Sequence, residues 1–231
     1  MIKHLDMLTT GQVSQGSPRY TGRSYLESRI NRDNALYQAM ATRVGAGTSM
    51  AIGSKRLAIT QRQGNGSYRV YFGLEVPEEF CRGSNVNLED LEATRQLLLS
   101  DFYADWGDEY KDLIQHSTDF RAWSLYSLSE KDMGWPSVSG LTLVGDAAHL
   151  APPNGDGVNL AMLDALELAA KIAEHGIENI DRAVQEYEAG MFPRGAETII
   201  EGDAMAKIMF NEDAQPFIEL MTSFGAGHGA E

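Results

Sequence analysis

Hydrophobic and polar positions alternate in the first half of this chain and change period in the second. Arg23 to Ile30 (RSYLESRI) spaces Tyr25, Leu26 and Ile30 in a loose alternation that predicts a strand. Lys55 to Arg62 and Tyr68 to Leu74 predict two more. The segment between them, QGNGS, carries Asn65-Gly66, the strongest short hairpin signal. Residues 1–22 are polar and turn-rich and read as an irregular lead-in. Beyond them the period lengthens: Asn87, followed by Glu89 and Asp90, predicts a helix start with acids where the helix dipole favours them. Leu91, Leu98 and Phe102 continue its apolar face, and Gly107 predicts its end. Phe120 to Leu128 reads as a strand and Leu141 to Val144 as a short buried one. Val158 to Glu174 predicts a helix ending at His175-Gly176. Its polar residues Asp164, Glu167, Lys171 and Glu174 form one stripe, which predicts burial of most of the remaining circumference. Another helix is expected from about Ile180 to Met191, and a third after Pro193. The order is α+β: a β-rich half, a short strand, then packed helices.

The chain has 231 residues, of which 43% are hydrophobic, enough to build a core. No apolar run approaches the roughly twenty residues of a membrane span, and the apolar stretch at the amino end is too short for a signal peptide. A single cysteine, Cys81, rules out an internal disulfide and a cysteine-rich zinc site, and suits a reduced, cytoplasmic compartment. Acids outnumber bases 33 to 19 for a net charge of -14, which argues against nucleic-acid partners.

The chemistry concentrates in Leu141 to Ile172, LTLVGDAAHLAPPNGDGVNLAMLDALELAAKI. A strand, a glycine-lined loop and a helix start in that order present free N–H groups to an electron-rich ligand. Gly155 and Gly157 let the backbone approach such a ligand, and Asn159 opens the helix. Asp146, at the carboxyl end of a strand, suits a sugar hydroxyl better than a phosphate, which it would repel. A plain strand–loop–helix turn, its acid bonded to local N–H groups, accounts for the spacing equally well. No catalytic triad or dyad stands out. The acids and His149 match no standard metal-ligand spacing.

GDAAH, the following prolines, GDGVN and DALELA resemble the second flavin-contacting motif of class A flavin-dependent monooxygenases. WGDEYKDLI, QRQGNGSYRVYF and VQEYEAGMFPRG are similar to segments of the tetracycline-inactivating flavoproteins and their relatives, so the resemblance covers roughly Tyr20 to Leu220. It implies a cofactor, FAD, with NADPH or NADH as reductant, and hydroxylation of an aromatic or polycyclic small molecule through a flavin C4a-hydroperoxide. It implies that Gly145 and Asp146 meet the ribityl chain and pyrophosphate. Pro152 and Pro153 then line the flavin ring, Gly155 belongs to the cofactor-binding loop, and Gly157, Val158 and Asn159 face the ring's pyrimidine end, where a helix dipole stabilises negative charge. His149 is structural on this reading. Glu27, Arg121, Trp123 and Tyr126 are the candidates for the substrate side, although sheet core explains Trp123 and Tyr126 as well.

The family's N-terminal βαβ unit with G-x-G-x-x-G is missing. VGAGTSM, Val44 to Met50, has methionine at the third glycine position and no apolar strand before it, and reads as a turn. The expectation is therefore the carboxyl-terminal part of such an enzyme. Residues 1–136 form a β-rich substrate-binding domain with a helix near 88–104, and 137–231 form the end of a Rossmann-like, hydroxylase-type FAD-binding domain with closing helices. The absent half would come from elsewhere, or the chain would associate with itself. Glu27 and Thr48 stand where the tetracycline enzymes place an amide and a basic residue, which argues against that drug as substrate. A non-catalytic remnant that binds a ligand or partner is the rival from another class. Another flavoprotein of the same architecture, such as a halogenase or reductase, is the rival within it.

Overall fold

The computed structural model describes residues 16–81 and 87–226. Most of the irregular lead-in expected over residues 1–22 lies outside the described residues, and the part that is described is already extended. Strand β1 runs over Arg19–Ile30, longer than the apolar alternation indicated. Helix α1 (Tyr37–Arg43) and strand β2 (Thr48–Gly53) follow; neither has a clear period in the sequence. Strands β3 (Arg56–Arg62) and β4 (Tyr68–Glu75) form the expected hairpin, in which Gly66 takes φ +86 and its N–H bonds the Gln63 carbonyl at 2.8 Å. VGAGTSM is the link from α1 into β2, with Gly45 at φ +62.

Helix α2 (Leu91–Leu97) starts three residues later than predicted. Asp90, not Asn87, caps it, its carboxylate accepting from the Ala93 N–H at 3.0 Å. A π-helical turn, Leu98–Phe102, ends it, and Gly107 instead opens α3 (Asp108–His116). Strand β5 (Thr118–Ser127) completes an antiparallel sheet of order β2-β3-β4-β1-β5.

Register sorts this sheet into two faces. Leu26 stands opposite Phe72 and Ser28 opposite Val70, and this side, with Ala58, packs on Leu98, Tyr103, Leu113, Ile114 and Phe120. The other side pairs Glu27 with Tyr71 and Arg29 with Arg69. One face is thus apolar core, and the other is polar and aromatic along β1 and β4 but aliphatic at Leu57 and Ile59 on β3 and Met50 and Ile52 on β2.

Leu141–Val144 does not form a strand. Only an isolated bridge, Val138 to Leu141, forms there, and Val144 is 41% exposed. A buried strand needs neighbours on its edges, and none lies beside this segment among the described residues. It is tied down instead from the helical side. Tyr187 donates to the Leu143 carbonyl at 3.1 Å, and Thr142 to the buried Glu188 at 2.8 Å.

The rest is helical: α4 (Asp146–His149), α5 (Gly157–His175), α6 (Ile180–Met209) and α7 (Gln215–Ala226). The expected break at Pro193 does not occur, since α6 is one helix with Pro193 inside it. A mid-helix proline loses one backbone bond and crowds the preceding turn. Here Tyr187 and Met191 before it and Ile199 after it are buried and hold the two halves in one helix, so packing overrides the local penalty.

By its internal contacts the chain forms two compact units. Of the described residues, one comprises 126–206 with 16–21, the other 22–81 and 87–125 with 207–226. Among the described residues no helix is long and apolar enough to cross a membrane.

Candidate cofactor site

The turn between Val144 and α4 depends on Gly145, which sits at φ 58 and ψ -142, a region that side chains other than glycine's rarely enter. A Cβ there would also meet the Ala161 Cβ at 3.1 Å, so the glycine lets α5 approach the turn. The Gly145 carbonyl accepts from the Ala148 and His149 N–H groups at 2.8 and 3.0 Å, closing α4 as a single turn. Asp146, its first residue, is exposed and free to take a ligand. Pro152 is buried and Pro153 exposed.

Asp164 holds this arrangement in place. It lies on α5, has no exposure, and its carboxylate collects three donors from three places in the chain. The Gly145 N–H reaches it at 2.8 Å, His149 Nε2 at 2.6 Å and Arg194 Nη2 at 3.1 Å. An ionised carboxylate can only accept, so Nε2 carries the proton in that contact. Arg194 also donates to Glu167 at 2.8 Å. Burial pushes the Asp164 carboxyl up, yet hydrogen bonds from His149, the Gly145 N–H and Arg194 outweigh it and hold it below the usual aspartate range. His149, 3% exposed, is committed to this contact, in keeping with a structural place. Gly195 on α6 allows the close approach, since a Cβ there would stand 2.9 Å from the His149 Cβ.

The start of α5 is open. Asp156 precedes it with no side-chain cap, and Gly157, Val158 and Asn159 are all exposed. Gly155, at φ +100, and Gly157 have nothing within 4 Å of where a Cβ would stand. Uncapped first-turn N–H groups with the positive end of a nineteen-residue helix behind them have the chemistry to receive an electron-rich group. These features fit the flavin that the motif resemblance implies.

The rest of α5 inverts the sequence expectation of a mostly buried circumference. Val158 is 73% exposed, Met162 59% and Leu166 67%, while Asp164 is buried and Lys171 partly so. The polar stripe serves internal contacts and the apolar stripe lies open. At the far end Glu174, His175 and Glu186 place ligand atoms within 4.8 Å of one another. Lys171 Nζ bridges the two glutamates at 3.1 and 3.0 Å, and Arg182 takes the other oxygen of Glu186. That cluster is therefore an ion-pair network already supplied with cations.

Of the four substrate-side candidates, three are on the polar face of the sheet. Glu27 is 5% exposed, and its carboxylate accepts from Trp123 Nε1 at 3.0 Å and from Arg29 Nη2 at 3.2 Å, with Arg69 Nε at 3.5 Å. Trp123 is 48% exposed and Arg121 is exposed two residues before it. Tyr126 is half-buried against the edge of the Tyr20 ring, 5.7 Å between centroids. Sequence reasoning missed Asp164, Arg194 and Glu188. DALELA carries Asp164, but nothing in the sequence connects it to Arg194, thirty residues on.

Residues 111–199 match a family model described as the FAD binding domain. The chain is 28% identical over 188 residues to the monooxygenase asqM of Emericella nidulans, covering 67% of this chain and 42% of that protein. Klebsiella pneumoniae HpxO, solved with FAD and uric acid, superposes with a TM-score of 0.71 at 21% identity, over 95% of this chain and 52% of that one. Tetracycline destructase Tet(51) superposes with a TM-score of 0.56 at 19% identity, over 85% of this chain and 50% of that one. At these identities the structural likenesses show the fold. The chain spans about half the length of the curated relatives it matches.

Proposed function

We propose, from the premise that this chain is a relative of the FAD-dependent monooxygenases, that it carries the flavin-ring side of an FAD site used to hydroxylate an aromatic or polycyclic small molecule. The observation that carries this reading is the open, uncapped start of α5 beside the exposed Asp146, with Asp164 clamping the turn that presents both. When bound, FAD supplies the redox and oxygen chemistry, with NADPH or NADH as the source of electrons. The protein's part is placement. Asp146 accepts from a ribityl hydroxyl, and Gly145 keeps its turn compact. The N–H groups of Gly157, Val158 and Asn159 receive the electron-rich end of the ring, while Gly155, Pro152 and Pro153 shape the approach. Residues 1–136 act as the substrate-binding part and 137–231 as the end of the flavin-binding part. The 231-residue sequence contains no G-x-G-x-x-G string of the kind that holds the adenylate half of the cofactor.

A fluorescence titration of the purified chain with riboflavin and with FAD tests this. Both flavins should bind weakly, with dissociation constants within a factor of about three of each other, because the adenylate half adds no contact. Asp146→Ala, at an exposed position, should weaken both by about tenfold or more, the worth of one charge-assisted hydrogen bond. FAD binding far tighter than riboflavin would show an adenylate site in this chain and sink the half-site description. No binding of either flavin at about 1 mM, a level at which even about 4 kcal/mol of affinity would register, would remove the flavin reading.

The open apolar stripe of α5 favours a second reading, in which the chain is a non-catalytic module that associates with further polypeptide or with itself. Concentration-dependent self-association without flavin binding would select it.

A further inference from the structure

The polar face of the sheet concentrates positive charge in a chain whose net charge is -14. Arg29 and Arg69 stand opposite each other in the β1–β4 register, and Arg121 and Trp123 share one face of β5 by alternation. One buried acid, Glu27, serves this group. Its carboxylate accepts from the Trp123 indole N–H and from Arg29, and pairs with Arg69 Nε by charge alone at 3.5 Å. Arg69 also donates through Nη1 to the Tyr71 hydroxyl at 3.2 Å. The indole is thus tethered through its N–H at 3.0 Å while the residue stays 48% exposed, so the ring is held and open to solvent. The arginine side chains are 24% and 32% exposed, enough to offer donors outward. Around Trp123 three arginines meet the buried Glu27 and the exposed Asp119, and the Arg23–Glu75 pair further along β1 and β4 is neutral, so this group keeps an excess of one positive charge.

We propose that this face binds a planar aromatic anion: the ring stacks on Trp123, and an acidic group (a carboxylate or an ionised phenol) is taken by Arg69, Arg29 and Arg121. Glu27 is a positioning residue here. It is too buried to meet a ligand, and it sets the indole plane and aims the guanidinium forks. A fixed aromatic platform with planar bidentate donors beside it selects flat acids over flat neutral molecules. This deepens the proposed hydroxylation by naming its substrate class, and it rests on that reading only for the chemistry that follows binding.

The test uses the whole chain, with 2-naphthoate and the neutral 2-naphthalenemethanol as probes, by calorimetric titration at low and moderate salt. Naphthoate should bind at least about tenfold tighter than the alcohol, the effect of one charge-assisted contact, and should weaken as salt rises. Arg69→Gln combined with Arg121→Gln should shrink the difference between the probes to under about threefold, whereas Trp123→Leu should weaken both probes alike. Glu27→Gln keeps an acceptor for the indole but removes the competing negative charge, so naphthoate binding should hold or tighten. A purely structural role for Glu27 predicts loss of both probes instead. Circular dichroism and the thermal midpoint confirm folding of each variant. Equal binding of the two probes, discrimination that survives loss of the arginines, or no binding of either would each overturn the proposal. Riboflavin titration of the same variants separates the readings. Lost flavin binding with intact naphthoate selectivity defeats the oxygenase alone, and the converse defeats the anion site alone.

Discussion

Asp164→Ala removes the acceptor on which three separated parts of the chain converge. The carboxylate is fully buried, and its donors are the Gly145 N–H, His149 Nε2 and Arg194 Nη2, at 2.8, 2.6 and 3.1 Å. Taken one at a time, hydrogen bonds to a buried charge are worth roughly 1.5–3 kcal/mol each, which would sum to well over 5 kcal/mol. Two corrections lower that sum. The variant no longer has to desolvate a carboxylate, and Arg194 keeps Glu167 at 2.8 Å as a partner. What is left is a buried N–H and a buried imidazole without acceptors, plus a cavity about the size of a carboxyl group. The expected loss is about 3–4 kcal/mol, within the range measured for breaking buried ionic networks. For a chain of this size that lowers the thermal midpoint by roughly 6–16 °C. Asp164→Asn keeps an acceptor oxygen and should lose about half as much. The assay is urea unfolding followed through Trp135, which is 8% exposed and sits in the same unit as Asp164, in a background with the other two tryptophans replaced by phenylalanine. A loss of less than about 2 kcal/mol in the unfolding free energy extrapolated from the urea curve for Asp164→Ala would show that the carboxylate does not hold the turn and would refute the reasoning.

Gly202→Ala probes a second close approach in that unit. A Cβ at 202 would stand 2.7 Å from the Pro152 carbonyl oxygen and 2.9 Å from its Cδ, so α6 must retreat from the proline turn, at a cost of about 1–3 kcal/mol and with weaker riboflavin binding. Normal stability and binding would mean that the turn yields freely. Glu186 gives a pH signature: hydrogen bonds from His175, Lys171 and Arg182 hold its carboxyl down at about 2, against an ordinary 4.5. A depressed carboxyl stabilises the fold above its ordinary value and loses that contribution as pH falls toward the folded value. Stability should therefore decline between about pH 5 and pH 2 partly through this group. Glu186→Gln should flatten that limb of the urea-midpoint profile, and an unchanged limb would count against the network.

How much was legible in the sequence depended on whether the determinant was local. The hairpin from β3 to β4 was readable because alternation and Asn65-Gly66 act within a dozen residues. So was the end of α5, which Gly176 terminates at φ 76. The helix start at Asn87 was displaced because two capping residues, Asn87 and Asp90, stand three apart, and which one engages is decided by where Leu91 and Leu98 meet the core. Pro193 misled for a related reason, since burial of Met191 and Ile199 on either side is invisible to a rule about one residue. Leu141–Val144 is apolar enough for a strand, but a strand is a property of a pair of segments. Within the candidate site, the glycines and Asp146 were visible as a motif. Asp164 was visible only as one acid in a polar stripe, because its partners at 145, 149 and 194 are brought together by the fold.

The open helix start and the Asp164 clamp of the candidate cofactor site are mechanically one device because both belong to α5. Gly157 to Asn159 begin the helix, and Asp164 lies about one and a half turns further along it. Fixing Asp164 against the Gly145 N–H therefore sets the distance between the turn that presents Asp146 and the N–H groups that open the helix. A helix is stiff over so short a span, so whatever loosens the Asp164 contact moves the helix start relative to Asp146. Binding geometry held by a buried contact of this kind is preorganised and loses little freedom when a ligand arrives. It follows that Asp164→Asn, mild in its effect on stability, should weaken riboflavin binding by more than its share of stability loss. Asp146→Ala should do the reverse, weakening binding while leaving the unfolding midpoint in place. If both variants moved binding and stability in the same proportion, the clamp and the ligand group would not be separable, and the division of labour along α5 would fail.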